Sequence, residues 1–166
     1  MRVLVGGLCA LLLAAVGLHV HAVDADAAKI ETLRETAARS GLAVEAEVRD
    51  LEVDGADLGD SLYDLVLVVH YLQRPLFPAI VRALRPGGLL LYETFTVDQA
   101  RRGKPTNPAF LLEHGELPRL VAPLEVVRER DGDFDGRMAA AVAARKSKAS
   151  QCSKSATGEI ERSSAR

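Results

Sequence analysis

Three apolar runs in this chain end in residues able to do chemistry. LHVHAV runs into Asp24, with Asp26 close behind; VEAEVR runs into Asp50-Leu51; YDLVLV runs into Val69-His70-Tyr71. A carboxylate at the end of a buried strand can accept hydrogen bonds from the hydroxyls of a ribose. Upstream, Gly6-Gly7 separate VLV from LCALLLAAV. A glycine pair between strand and helix lets backbone N–H groups approach a ligand closely. Each residue also has a plainer reading. The glycines can be a simple tight turn, Asp24 a helix N-cap, and Asp50 a solvated strand end. An imidazole such as that of His70 suits a general base but also a simple pocket wall.

Such residues need elements to hold them. From Asp26 to Ser40 the pattern is helical, with Ile30, Leu33, Ala37 and Ala38 at helical spacing and Gly41 where a helix would stop. LAVEAEVRDLE alternates like a half-buried strand, and DGADLGDSL is a loop. YDLVLVV and GLLLYETF are nearly continuous apolar runs, as in strands covered on both faces. Between them PLFPAIVRAL reads as a helix with proline in its first turn and RPGG as a turn. TVDQARRGKPTNP is a polar loop, and AFLLEHGELPRLVA carries at least one short helix. LEVVRERDGDFDGRMAAAVAARK gives two strands around DGDFDG, a hairpin connection. Helices alternating with buried strands imply a doubly wound parallel sheet, the terminal hairpin adding an antiparallel strand.

The first residues can be read in two incompatible ways. Arg2, the apolar stretch Val3–Leu18 and Val20-His21-Ala22 approximate a secretory leader cut near Ala22. Gly6, Gly7 and Gly17 interrupt that apolar stretch, and His19 and His21 crowd the cleavage region. The alternative makes VLV a strand, GG a turn, LCALLLAAV a helix and LHVHAVDAD a second strand. It accounts for more residues, because without it the sheet lacks a strand at its centre.

Composition sets the bounds. A chain of 166 residues with 48% hydrophobic residues suits one folded domain, and a net charge of -2 with no tryptophan gives no footing for nucleic-acid binding. Cys9 and Cys152 form no disulfide framework and no metal-type spacing. No metal is expected. Neither nucleic acid nor membrane is expected as a partner, and the compartment implied is the cytoplasm unless the leader reading holds. His19 and His21 read as structural, and His114 stands alone in a loop. Asp131, Asp133 and Asp135 read as a hairpin turn, since the late glutamate of a calcium loop is missing. Residues 1–146 form the domain. Residues 147–166 form a polar, basic tail with no apolar periodicity, expected to be disordered.

YDLVLVVHYLQRPLFPAIVRALRPGGLLLYETF carries a more specific signal, in Asp64, His70, Tyr71, Pro86, Gly87, Gly88 and Glu93-Thr94-Phe95, followed by NPAFLL. Through these residues the chain resembles a class I S-adenosylmethionine-dependent methyltransferase of the small, tellurite-resistance-like group, over residues 3–146. The resemblance implies a Rossmann-like three-layer α/β sandwich. It implies S-adenosylmethionine as cofactor and methyl transfer to a small-molecule acceptor. Asp24, with Asp26 as a second candidate, would hold the ribose hydroxyls. Asp50 would accept from the adenine amino group, with Leu51 packing near the ring. Val69 and His70 would sit beside the methionine moiety and the methyl, and Tyr71 close to the acceptor. Methyl transfer asks for positioning more than acid–base help, which favours His70 as a wall. The loop 96–111 would cover the acceptor, with Arg101, Arg102 and Lys104 attracting an anionic one. The chain departs from the family in its glycine loop. Val5-Gly6-Gly7 replaces a longer Asp/Glu-x-Gly-x-Gly-x-Gly pattern, and no helix precedes the first strand. A truncated, inactive relative that only binds a partner is therefore the alternative.

Overall fold

The computed structural model describes residues 1–5, 9–53 and 55–148. The elements are β1 (Arg2–Val5), α1 (Cys9–Ala15), β2 (His19–Asp24), α2 (Ala27–Arg39), β3 (Val44–Val48), β4 (Tyr63–Val69), α3 (Phe77–Ala83), β5 (Leu84–Phe95), α4 (Leu117–Leu120), β6 (Glu125–Phe134) and β7 (Arg137–Arg145). They build one sheet of order β3-β2-β1-β4-β5-β7-β6. Strands β1 to β5 pair in parallel, and β7 enters antiparallel between β5 and β6.

Alternation along the strands loads both faces of the sheet. Val5, Val20 and Ala22 pack with Ala10 and Ala14 of α1 and Leu33 of α2. Leu4, Val23, Val66 and Leu90 pack with Phe77 and Ile80 of α3 on the other face. The result is the expected Rossmann-like layering of helix, sheet and helix. In α2, Ile30, Leu33 and Ala37 are buried as their spacing predicts, whereas Ala38 is exposed. Gly41 follows the helix at φ +63°, a conformation open to glycine.

The opening residues occupy the middle of this sheet. Val3, Leu4 and Val5 are 0%, 5% and 1% exposed, and β1 pairs with β2 on one side and β4 on the other. A cut after Ala22 would remove β1, α1 and most of β2. Among the described residues, no helix is long and apolar enough to cross a membrane.

Two turns differ from the sequence expectation. RPGG is not a turn ahead of a strand but a bulge within β5. The pairing with β4 jumps from Tyr63↔Leu84 to Leu65↔Leu89, leaving Arg85–Gly88 looped out. A Cβ on Gly88 would stand 2.8 Å from the Arg85 carbonyl oxygen and 3.2 Å from that of Tyr63, so only glycine fits. In the hairpin, β6 runs through most of DGDFDG to Phe134. The reversal is Asp135-Gly136 alone, with φ +51° and +87°, the signature of a type I′ turn.

Candidate functional site

In an open parallel sheet, ligands bind at the carboxyl ends of the strands where the order reverses. Here that point lies between β1 and β4. A cleft of about 560 Å³ opens there, within the range of small-molecule sites, and Val23, Asp24, Lys29, Arg49, Asp50, Leu51, Val69, His70 and Tyr71 help to line it. Gly6 and Gly7 lie outside the described residues.

Asp24 is the last residue of β2 and its side chain is 25% exposed. Its Oδ1 accepts the Asp26 N–H at 2.9 Å, while among the described residues Oδ2 has a salt-bridge partner in Lys29 Nζ, at 3.8 Å, and no hydrogen-bond donor. That second oxygen can receive a hydroxyl. The N-cap of α2, which the sequence left open to Asp24, is Asp26. Its Oδ1 accepts from the backbone N–H of Ala28 at 2.9 Å and of Lys29 at 3.3 Å. Asp26 does not line the cleft. The two acids therefore divide the tasks that sequence alone could not separate: one starts the helix, the other faces the cleft.

Asp50 follows β3 at the cleft wall, its Oδ1 accepting the Glu52 N–H at 2.8 Å. Leu51 lies between that turn and the larger core. With Leu58, Val66, Leu76 and Ile80 it gives the cleft an apolar wall. Such a surface takes a planar base, and the neighbouring carboxylate can accept from an amino group.

His70 adopts φ +55°, left-handed and uncommon for a residue with a Cβ. Its N–H donates to the Glu93 carbonyl at 2.8 Å, and its ring stacks on Phe95 with centroids 4.6 Å apart. These contacts fix the imidazole as a wall beside the end of β4, with Nε2 3.7 Å from Glu93 Oε1. Tyr71 lines the same cleft and packs against the larger core. Its hydroxyl is buried without a hydrogen-bond partner among the described residues. Burial first, then the carboxylates of Glu52 and Asp50, push its pKa up to about 12. Its phenol therefore stays protonated at neutral pH.

Lys29 and Arg49 are cleft residues that the sequence reading did not single out. Lys29 stands in the first turn of α2, beside the end of β2, which was the available signal. Arg49 immediately precedes Asp50; it donates from Nε to Glu47 Oε1 at 2.9 Å and from Nη1 to the Asp57 carbonyl at 2.8 Å. Of the cations expected to draw an anionic acceptor, Arg101 pairs with Asp98 at 3.4 Å and Arg102 with Asp133. Their charge is largely balanced. His114 is not alone: its two ring nitrogens meet Asp131 and Asp98.

The profile of a family described as a methyltransferase domain matches residues 5–88. No curated protein matches the chain. Solved structures do. A SAM-dependent methyltransferase from Methanosarcina mazei superposes with a TM-score of 0.68 at 20% identity, over 89% of this chain and 92% of that one. TehB from Haemophilus influenzae gives 0.70 at 20% identity, over 87% of this chain and 57% of that one. SpnF, a 4+2 cyclase, gives 0.68 at 16% identity, over 89% and 74%. At these identities the likeness is one of fold, and that fold carries more than one chemistry.

Proposed function

The chain belongs to the methyltransferase-domain family, and from that premise we propose that its cleft binds S-adenosylmethionine and directs the methyl group to a small acceptor. The observation that carries the reading is the Asp24 carboxylate at the sheet's switch point, its Oδ2 accepting no hydrogen bond among the described residues, in one cleft with Asp50 and an apolar wall. The residues present fit the cofactor. Asp24 would hold the ribose hydroxyls, and Asp50 and Leu51 the adenine. Val69 and His70 would flank the methionine end.

When bound, S-adenosylmethionine supplies a methyl on a sulfonium, whose sulfur leaves as a neutral thioether. What the protein adds is position and dryness. His70, locked by Phe95 and by the Glu93 carbonyl, is a rigid wall that limits the approach to the end of β4. Tyr71, protonated at neutral pH, does not serve as a base there. The segment after β5 would cover the acceptor; it is bonded back to β5 through the Leu112 N–H and the Phe95 carbonyl at 2.9 Å, and the Phe95 ring stacks on His70. The cytoplasm is the compartment proposed with this reading; residues 1–22 themselves supply β1, α1 and most of β2 to the fold.

The test is calorimetric titration of the full chain with S-adenosylhomocysteine, which shares the cleft without turning over. Binding in the micromolar range is expected. Asp24→Asn keeps an acceptor for the Asp26 N–H but loses the charge, and should weaken binding by about 10- to 100-fold, the worth of charge-assisted hydrogen bonds. A folded protein that binds nothing would instead support the inactive-relative alternative.

A further inference from the structure

The segment between β5 and α4 is tied to β6 by the Arg102–Asp133 ion pair and, nearer α4, by the His114 imidazole. His114 Nδ1 lies 3.0 Å from Asp131 Oδ1 and 3.1 Å from its Oδ2. His114 Nε2 lies 3.0 Å from Asp98 Oδ2. Asp98 belongs to the short turn Val97–Arg101 that follows β5, and Asp131 to β6. The Gly115 N–H also points at Asp131, at 3.4 Å.

A neutral imidazole has one N–H and one lone pair. It can donate to only one carboxylate, and its bare nitrogen repels the other. Two ionised carboxylates at hydrogen-bond distance from both nitrogens therefore fit the imidazolium alone. The hydrogen bond and charge of Asp131, then those of Asp98, raise the His114 pKa above its ordinary value. The other charges around it are already engaged or lie to one side. Arg101 rests on Asp98 at 3.4 Å, Arg102 holds Asp133, Arg74 takes Glu116, and Glu113 and Glu129 are further acids. The two nitrogens point at different carboxylates rather than converging with them, and among the described residues no group of three ligands is placed to hold a metal.

We propose that His114 is a proton-operated clasp. Charged, it holds the connection after β5 against β6 and so keeps the cover beside His70 closed; neutral, it lets go of one anchor. On the proposed function, on which this inference rests, the end beside His70 is the acceptor end; Leu112, two residues before His114, is bonded to the Phe95 carbonyl, and the Phe95 ring stacks on His70. Proton loss at His114 thus loosens the entrance for the acceptor while Asp24 and Asp50 stay in place.

The clasp is tested by hydrogen exchange of segment 97–116 in the full chain, corrected for intrinsic rates, at about pH 6 and about pH 8.5, either side of a histidine titration. NMR titration of the His114 ring runs alongside. Opening in the wild type should rise about 5- to 10-fold across that interval, the scale of a lost surface ion pair with its hydrogen bond. In His114→Gln it should be high and pH-independent. Asp98→Asn should lower the His114 pKa and shift the wild-type transition to lower pH. Equal protection of the segment at both pH values would overturn the clasp. So would a His114→Gln protein that keeps the wild-type pH dependence, because another group would then be responsible.

Discussion

Arg74 and Glu116 form a two-pronged pair, Nε to Oε1 at 2.6 Å and Nη2 to Oε2 at 2.9 Å. Arg74 also donates to the carbonyls of Ala109 at 3.2 Å and Leu111 at 3.0 Å. One guanidinium thus joins the connection that leaves β4 just past His70 and Tyr71 to the segment that covers it. The planar fork can do this and an ammonium cannot.

Arg74→Ala should therefore destabilise the protein by about 1–2 kcal/mol in denaturant titration, as the part-buried Leu111 carbonyl and Glu116 lose their donor. Arg74→Lys should recover less than half of it. The pair also sets an acid dependence. Arg74, by hydrogen bond, holds the Glu116 carboxyl below its usual range. A depressed carboxylate stabilises above its unfolded pKa and loses that stabilisation as pH falls through the folded value. Glu116→Gln should then be less stable than wild type at neutral pH, with the gap narrowing below about pH 4. A gap that stays constant into acid would contradict this.

Asp24 and Asp26 should respond in opposite ways. Asp26→Ala removes the N-cap of α2 and should cost about 1 kcal/mol of stability while leaving S-adenosylhomocysteine affinity intact. Asp24→Asn should lose affinity with little change in the melting temperature. If both substitutions act on affinity alike, the division of labour between them is wrong.

Tyr71→Phe removes a buried hydroxyl that has no hydrogen-bond partner among the described residues. Loss of an unsatisfied group should leave the ligand-free protein as stable as wild type or up to about 1 kcal/mol more stable. Its methyl transfer should keep the wild-type pH profile from about pH 6 to pH 9, because the phenol of the wild type is protonated throughout. A profile that loses an ionisation in that interval would give Tyr71 a proton-transfer role.

Val5 is 1% exposed at the end of β1, an inner strand paired on both sides. Val5→Asp should cost at least about 4 kcal/mol, the scale of an unpaired buried charge. A protein lacking residues 2–22 should show no cooperative thermal transition by circular dichroism. A well-folded shortened protein would instead revive the leader reading.

Much of this was legible from one sequence because local pattern and global role agreed. The apolar runs VLV, HVHAV, YDLVLVV and GLLLYETF became β1, β2, β4 and most of β5. The Asp-Gly of the hairpin fell where a type I′ turn needs positive φ twice. The site was legible to the extent that strand ends mark it: Asp24, Asp50 and Val69-His70 all reached one cleft. Tyr71 was legible in position but not in direction. β4 ends at Val69 and His70 turns the chain at φ +55°, so Tyr71 leaves the strand and packs against the larger core.

Sequence alone determined which segments are strands and which helices, because periodicity and turn chemistry act within a few residues. It also fixed which residues stand at strand ends. Tertiary structure alone decided the rest. The strand order sets β1 between β2 and β4 and so creates a cleft at all. The choice of Asp26 over Asp24 as helix cap depends on where α2 meets the sheet. Lys29 and Arg49 reach the cleft, Arg74 meets Glu116 across 42 positions, and His114 bridges Asp98 and Asp131. The physical reason is range. A turn or a helix face is set by neighbours in the chain. A pairing between distant side chains exists only once sheet order and loop closure have brought their backbones together.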